Sequence, residues 1–183
     1  MSATRDRLKE LYRTRAFAFG SFTLASGKSS SYYINSKNVL FHSEAVALLG
    51  EMLFEATKDL SIEGIGGLEV GAIPMCAAAA MYYHQQGRPI EGFFVRKAAK
   101  GHGSQQRVEG VVKSGDRVVV IDDVLTTGES VVQAIEELEK VGAKVVRVIS
   151  VVDRLQGAAE RLKGYDYRPL FTVRDFGIDP EKV

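Results

Sequence analysis

Apolar residues recur along this chain with two different periods, and the switching between them lays out the elements. From Thr4 to Ala16 the period is helical: Leu8, Leu11 and Tyr12 share one face, with Arg5, Lys9 and Glu10 elsewhere. Phe19 to Leu24 and Tyr32 to Asn35 read as strands. The glycine and serines of Ala25-Ser26-Gly27-Lys28-Ser29-Ser30-Ser31 between them predict a hairpin-like flap outside the main sheet. Ser43 caps a predicted helix to about Lys58, with Val46, Leu49, Met52, Leu53 and Ala56 on one face. Ile62 to Leu68 is a strand, followed by a glycine-rich turn and an alanine-rich helix with Pro74 near its first turn. Glu91 to Val95 is the next strand. Val118, Val119, Val120 and Ile121 form an unbroken β-branched run within a strand from Asp116 to Asp122, a pattern typical of a parallel strand buried on both faces. Ser130 to Val141 is an amphipathic helix closed by Gly142. A strand from Lys144 to Val152, a short helix from Gly157 to Leu162 and a last strand from Pro169 to Val173 complete the chain.

Strands alternating with helices over residues 43–152 imply βαβ units with right-handed crossovers, hence an α/β fold around a mostly parallel central sheet. Three segments then fall at strand carboxyl ends, where open α/β sheets bind ligands: residues 67–72, 96–103 and 122–130.

Composition changes this picture little. A chain of 183 residues makes one domain with a substantial core. Its net charge of +1 gives no electrostatic reason to expect nucleic acid or a membrane as partner. No apolar run is long enough for a bilayer, and the N-terminal stretch alternates charge without a signal-peptide core. The single cysteine, Cys76, sits in an alanine run and reads as a packed small hydrophobe; it excludes an intrachain disulfide, and a cytoplasmic location is expected.

The chemistry concentrates in residues 117–130. Asp122 and Asp123 stand at the strand's carboxyl end, Val124 and Leu125 follow, and Thr126, Thr127, Gly128, Glu129 and Ser130 open the next helix. Short hydroxyl side chains and a glycine let backbone N–H groups converge on an anion, and a helix N-terminus adds positive potential. Two acids beside such a turn suit vicinal hydroxyls or a metal at one end and a phosphate at the other, as in a ribose 5-phosphate. Each part alone also suits an ordinary strand end or capped helix; the ordered combination is more specific. No Gly-Lys-Ser/Thr is present, so this is not a Walker loop. After the strand at Glu91 to Val95, Arg96, Lys97, Lys100 and His102 cluster in a chain with no basic excess. A loop carrying them can close over a diphosphate and shield it from water.

In Asp122-Asp123-x-x-Thr126-Thr127-Gly128-x-Ser130 the chain resembles the type I phosphoribosyltransferases, which use 5-phosphoribosyl 1-diphosphate (PRPP). Phe22-Thr23-Leu24-Ala25-Ser26-Gly27-Lys28 preceding Tyr32-Tyr33-Ile34-Asn35, together with Arg96-Lys97-x-x-Lys100-x-His102-Gly103, is similar to the orotate branch of that family, and Asp153-Arg154 adds to the match. The resemblance implies a core over about residues 43–155 and a small hood formed largely by residues 1–40 with the C-terminal segment. It implies that residues 122–130 bind the ribose hydroxyls and 5′-phosphate of PRPP. Lys28, Tyr33, Ile34, Thr126 and Arg154 would meet orotate. Arg96 and Lys97 would act on the diphosphate in cis, and Lys100 and His102 in trans from a loop over residues 97–110 of a homodimer. Lys97, Lys100, His102 and Asp123 are the implied catalytic residues, with Mg²⁺ as cofactor held by diphosphate and ribose and by Asp122 and Asp123 through water. Two positions depart from some relatives, which carry lysines where this chain has Ala25 and Gly71. Three other readings share parts of this pattern: a purine-base transferase, a PRPP-sensing regulator and a metal hydrolase built on the two acids.

Overall fold

The computed structural model describes residues 3–23, 29–98 and 106–180. In chain order the elements are α1 (Ala3–Arg15), β1 (Phe17–Thr23), β2 (Ser29–Ile34), α2 (Lys37–Leu40), α3 (Ser43–Glu55), β3 (Gly64–Leu68), α4 (Ala72–Gln85), β4 (Glu91–Val95) and β5 (Val108–Glu109). Then follow β6 (Arg117–Leu125), α5 (Glu129–Val141), β7 (Lys144–Asp153), α6 (Ala158–Arg161), β8 (Tyr167–Thr172) and a 3-10 turn, Val173–Phe176.

Six strands form one sheet in the order β5-β4-β3-β6-β7-β8, parallel throughout except for the short edge strand β5. β6 shows why the sheet is buried on both sides. Its Val119 and Ile121 join α1, α3 and α4 in one apolar cluster, while Val118 and Val120 join α5 and α6 in the other. β1 and β2 make a separate antiparallel hairpin. Phe17 of this hairpin packs on Phe176 of the C-terminal turn with tilted rings, centres 4.5 Å apart, so the hairpin and the C-terminal turn meet there.

Sheet order explains where a ligand belongs. From β3 the chain crosses by α4 toward β4, and from β6 it crosses by α5 toward β7 on the opposite face. The paired register of β3 and β6 ends at Gly66 and Val120, so the strands part at their carboxyl ends, forming the crevice at which doubly wound sheets bind.

Several boundaries differ from the sequence reading, each for a local reason. The expected strand from Phe19 begins at Phe17, whose ring packs on Tyr32 and Phe176. The strand expected to stop at Asp122 continues to Leu125, because β7 pairs with it that far. Gly66 and Gly67 lie inside β3, within the strand expected over Ile62 to Leu68, although Gly67 was also placed in the candidate ligand segment 67–72. A Cβ on Gly66 would sit 2.0 Å from the Phe93 carbonyl oxygen, and one on Gly67 would sit 1.9 Å from that of Ile121, so these glycines admit neighbouring strands rather than a ligand. The residue preceding α3 is His42, not Ser43, and the buried face is Ala45, Leu49, Gly50 and Leu53 instead of one through Val46 and Met52. Gly50 sets that rotation: a Cβ there would meet the Ala78 carbonyl of α4 at 2.7 Å, so the two helices touch through backbone. α3 ends at Glu55, short of Lys58, where the Thr57 hydroxyl turns back to the Leu53 carbonyl at 2.6 Å.

Gly67→Ala should cost about 3 kcal/mol or more, the upper end of overpacking penalties, since the obstruction is backbone rather than a side chain that can rotate away. Urea unfolding at an unchanged slope would measure it; a loss within experimental error would mean that β3 and β6 have room to separate.

Candidate active site

Adjacent residues of a strand point to opposite faces, so Asp122 and Asp123 leave the lip of β6 in different directions. Asp122 turns toward α5. It is 8% exposed, and its carboxyl accepts the Asp123 backbone N–H at 2.8 Å and the Ser130 hydroxyl at 2.5 Å. Burial first, and the Asp123 charge second, push its pKa from the usual carboxylate range up to about 8, against the Ser130 bond, which favours the ionised form. Asp123 turns the other way and accepts the buried Ser36 hydroxyl at the start of α2. A Cβ on Gly71 would lie 2.4 Å from the Asp123 carboxylate, so the start of α4 crowds this acid from beneath. The glycine that replaces a lysine of some relatives thus has a local reason. The preceding Glu69–Val70 peptide bond is cis.

The turn over residues 126–130 opens α5, with one difference from the sequence reading. Gly128 takes φ +81°, which glycine adopts without a Cβ penalty, and starts α5 with no side chain capping it. Backbone N–H groups of the first turn therefore remain for an anion. Ser130 was expected among the hydroxyls facing that anion, but its hydroxyl is directed to Asp122. Thr127 and Glu129 are exposed, Thr126 is half-buried, and the Leu125 side chain is in the core, so Leu125 offers the site backbone alone.

Arg96 and Lys97 leave the carboxyl end of β4, as predicted. The Lys97 backbone N–H donates to Glu69 Oε1 at 2.8 Å, and Arg96 Nη1 lies 3.8 Å from Glu109. The loop expected over residues 97–110 is anchored at its far end, because Val108 and Glu109 pair with Val95 and Phe94 as β5. Lys100 and His102 lie outside the described residues, as does Lys28.

The hood presents alternate faces too. Tyr32 is buried, with its hydroxyl accepting Arg154 Nε at 3.0 Å and its ring 4.6 Å from the guanidinium carbon; Ser30 Oγ lies 3.5 Å from Arg154 Nη2. Tyr33 points outward, 47% exposed, against Phe22, and Ile34 packs at the edge of the core. Arg154 follows β7, in a turn where Leu155 holds φ +58°. Asp153 steadies that turn by accepting the Leu155 N–H at 2.7 Å and the Tyr167 hydroxyl at 2.9 Å. The Ser150 hydroxyl lies 2.8 Å from that of Tyr167, and burial pushes the Tyr167 pKa up.

The structure thus brings Asp122, Asp123 and residues 126–130 together at one lip, with Ser36 reaching Asp123 from the end of the hood. Sequence reasoning missed Ser30, Ser36, Glu69, Tyr32 and Tyr167 as supports. All five are ordinary residues whose role exists only in three dimensions; Asp153 beside Arg154 was the one local sign that this arginine is held. Among the described residues there is no group of three or more His, Cys, Asp or Glu that could hold a metal ion. No helix among them is long and apolar enough to cross a membrane.

Residues 9–174 match the model of the phosphoribosyl transferase domain. The chain is 44% identical over 181 residues to the orotate phosphoribosyltransferase of Bradyrhizobium sp. (strain ORS 278), covering 96% of this chain and 98% of that one. The orotate phosphoribosyltransferase of Mycobacterium tuberculosis H37Rv in complex with Fe(III) dicitrate superimposes with TM-score 0.84 at 40% identity, covering 96% of this chain and 99% of that one. The same enzyme in complex with PRPP gives TM-score 0.81 at 37% identity, again covering 96% and 99%.

Asp122 has a thermodynamic signature. Between its unfolded value of 3.8 and about 8 the folded chain holds a proton that the unfolded chain has released, so this group makes stability fall as pH rises through that window. Asp122→Asn should remove that slope. The ligand-free variant should gain Tm over the wild type at pH 8 and lose the advantage toward pH 4, at about 2–4 °C per kcal/mol recovered for a chain of this size. Parallel pH–Tm profiles for the two proteins would show that Asp122 is ionised throughout.

Proposed function

Since this chain belongs to the phosphoribosyltransferase family, we propose that it transfers the 5-phosphoribosyl group of PRPP to orotate, giving orotidine 5′-phosphate and diphosphate. The observation that carries this reading is one juxtaposition. A pair of acids and an uncapped, glycine-started helix share the lip of β6, and an arginine held by the hood stands at the end of the neighbouring strand β7. The first two match the hydroxyls and the 5′-phosphate of a ribose phosphate; the arginine offers a planar fork to an anionic ring.

Breaking the anomeric C–O bond leaves positive charge on the ribose and negative charge on the departing diphosphate. Catalysis is then electrostatic: Arg96 and Lys97 in cis, with Lys100 and His102 in trans, stabilise the leaving oxygens. Asp122 and Asp123 orient the ribose hydroxyls. The charge of orotate sits on its carboxylate, so the N1 proton released as N1 bonds the anomeric carbon passes to the departing diphosphate, and no side chain is assigned as general base. The donor set fits Mg²⁺, which keeps most of its waters and takes one or two carboxylates plus substrate phosphates. Bound there, Mg²⁺ would neutralise charge on the diphosphate. Lys28, Tyr33, Ile34 and Thr126 complete the orotate side.

The working unit is a homodimer, with the segment between Lys97 and Arg107 serving the neighbouring site. The product is a pyrimidine nucleoside monophosphate, which places the reaction in de novo pyrimidine synthesis. A lone, buried Cys76 suits the reducing cytoplasm.

The direct test mixes protein, PRPP, Mg²⁺ and orotate and follows the loss of orotate absorbance. Turnover with orotate and none with adenine, guanine or hypoxanthine is expected; the reverse preference would overturn the reading. Lys100→Ala should lower kcat by about 10²–10³, as for a lost oxyanion donor. Tyr32→Phe keeps the ring over Arg154 but removes the acceptor for Nε, so KM for orotate should rise several-fold, up to about tenfold, with KM for PRPP little changed. An unaltered KM for orotate would detach Tyr32 from substrate recognition.

A further inference from the structure

Where Arg96 and Lys97 leave β4, their backbone is held by Arg107, near the far end of the loop and just before β5. Arg107 Nε donates to the Arg96 carbonyl and Arg107 Nη2 to the Lys97 carbonyl, both at 2.8 Å. The remaining fork nitrogen, Nη1, donates to Glu137 Oε1 of α5 at 3.0 Å. In return the Arg96 N–H donates to the Arg107 carbonyl at 2.8 Å, and the Lys97 N–H is taken by Glu69. The Arg107 and Glu137 side chains are 17% and 12% exposed, so this ion pair is largely shielded from water, unlike most pairs on the surface of this chain. Glu137 also accepts Lys140 Nζ at 2.8 Å.

α5 is the helix whose first turn faces the 5′-phosphate, and Arg96 and Lys97 face the diphosphate. Arg107 therefore joins the groups at the two ends of one substrate through a single guanidinium. We propose that Arg107 is a positioning residue for PRPP: it sets the backbone of Arg96 and Lys97 relative to α5 and so fixes the span between the diphosphate cations and the phosphate turn. It touches no substrate and acts through Arg96, Lys97 and Glu137. The inference rests on the reading of this site as a PRPP site. The chemistry requires arginine, because three acceptors in different directions must be met by one rigid fork, and a lysine ammonium on a flexible stem does not reproduce that geometry.

The test compares wild type, Arg107→Ala, Arg107→Lys and Glu137→Gln by steady-state kinetics with PRPP and orotate, and by calorimetric binding of PRPP without orotate. Arg107→Ala should weaken PRPP binding and raise KM for PRPP by about tenfold, the worth of one charge-assisted hydrogen bond, with KM for orotate within about twofold. Arg107→Lys should not restore it, and millimolar guanidinium should partly restore Arg107→Ala. Glu137→Gln, which leaves both carbonyl contacts in place, should fall between. Wild-type PRPP affinity in folded Arg107→Ala would overturn the proposal. Equal losses for PRPP and orotate without guanidinium rescue would also overturn it, as the mark of general damage. Wild-type affinity in Glu137→Gln beside an impaired Arg107→Ala would refute the link to α5. If wild type binds PRPP but turns over no orotate, the proposed reaction falls while the binding comparison still decides the role of Arg107.

Discussion

A carboxyl group at the end of a strand buried on both faces must be solvated by the protein itself, and much of this site's architecture answers that demand at Asp122. Water is excluded by the packing that makes β6 the central strand. The protein supplies the next residue's N–H and the Ser130 hydroxyl instead. For Ser130 to arrive there, α5 must begin within a few residues of the acid, and the left-handed Gly128 makes so sharp an entry possible. The same entry leaves the helix N-terminus uncapped beside the acids. The uncapped helix start and the buried acid are thus two consequences of one tight strand–helix junction.

Strand alternation then sends Asp123 to the other face, where it meets a different part of the chain. Ser36, just past the hood hairpin, donates to it, and Tyr12 of α1 is buried close enough to feel its charge: burial first, then Asp123, pushes the tyrosine's pKa up. On the neighbouring strand, Arg154 is held by Ser30 and Tyr32 from the same hairpin. The hood therefore contacts the core at Asp123 and Arg154, the groups proposed above to meet ribose and base. A shift of β2 by one residue would exchange Tyr32 for Tyr33 and withdraw the partner of Arg154. α1 and the C-terminal turn hold the hairpin in register, through Phe17 on Phe176 and Arg5 on Asp175.

Much of this was legible in the sequence, for physical reasons. Val118 to Ile121 could only be a doubly buried strand, Gly142 could only close a helix, and the acids, Thr-Thr and Gly128 stand within one junction, where local order determines geometry. Gly67 was read correctly as strand but also counted in a ligand-binding segment, because glycine near a site has two uses. Whether it admits a ligand or a neighbouring carbonyl depends on strands distant in sequence, here Phe93 and Ile121. The face of α3 was read correctly at Leu49 and Leu53, with Met52 and Ala56 packed at its edge, but Gly50 was missed because glycine contributes nothing to an apolar pattern, although it lies against the α4 backbone. Supports such as Ser36, Glu69 and Arg107 were invisible, since each acts across a long stretch of chain, 87, 28 and 30 residues to Asp123, Lys97 and Glu137 respectively.

The electrostatics of the site carry a further consequence. Two adjacent carboxylates at the lip proposed for PRPP would oppose that polyanion if both were ionised. Burial prevents this. Desolvation first, and the neighbouring Asp123 second, raise the proton affinity of Asp122, so the dry lip favours its neutral form in the ligand-free chain. Ribose hydroxyls or a cation arriving at the lip favour the ionised form of Asp122, because they supply the donors and positive charge that the dry interior withholds. The acid's affinity for its proton and its affinity for the ligand are therefore set against each other by the same burial. The feature that destabilises the empty site at high pH is the one that lets an acid pair coexist with phosphate.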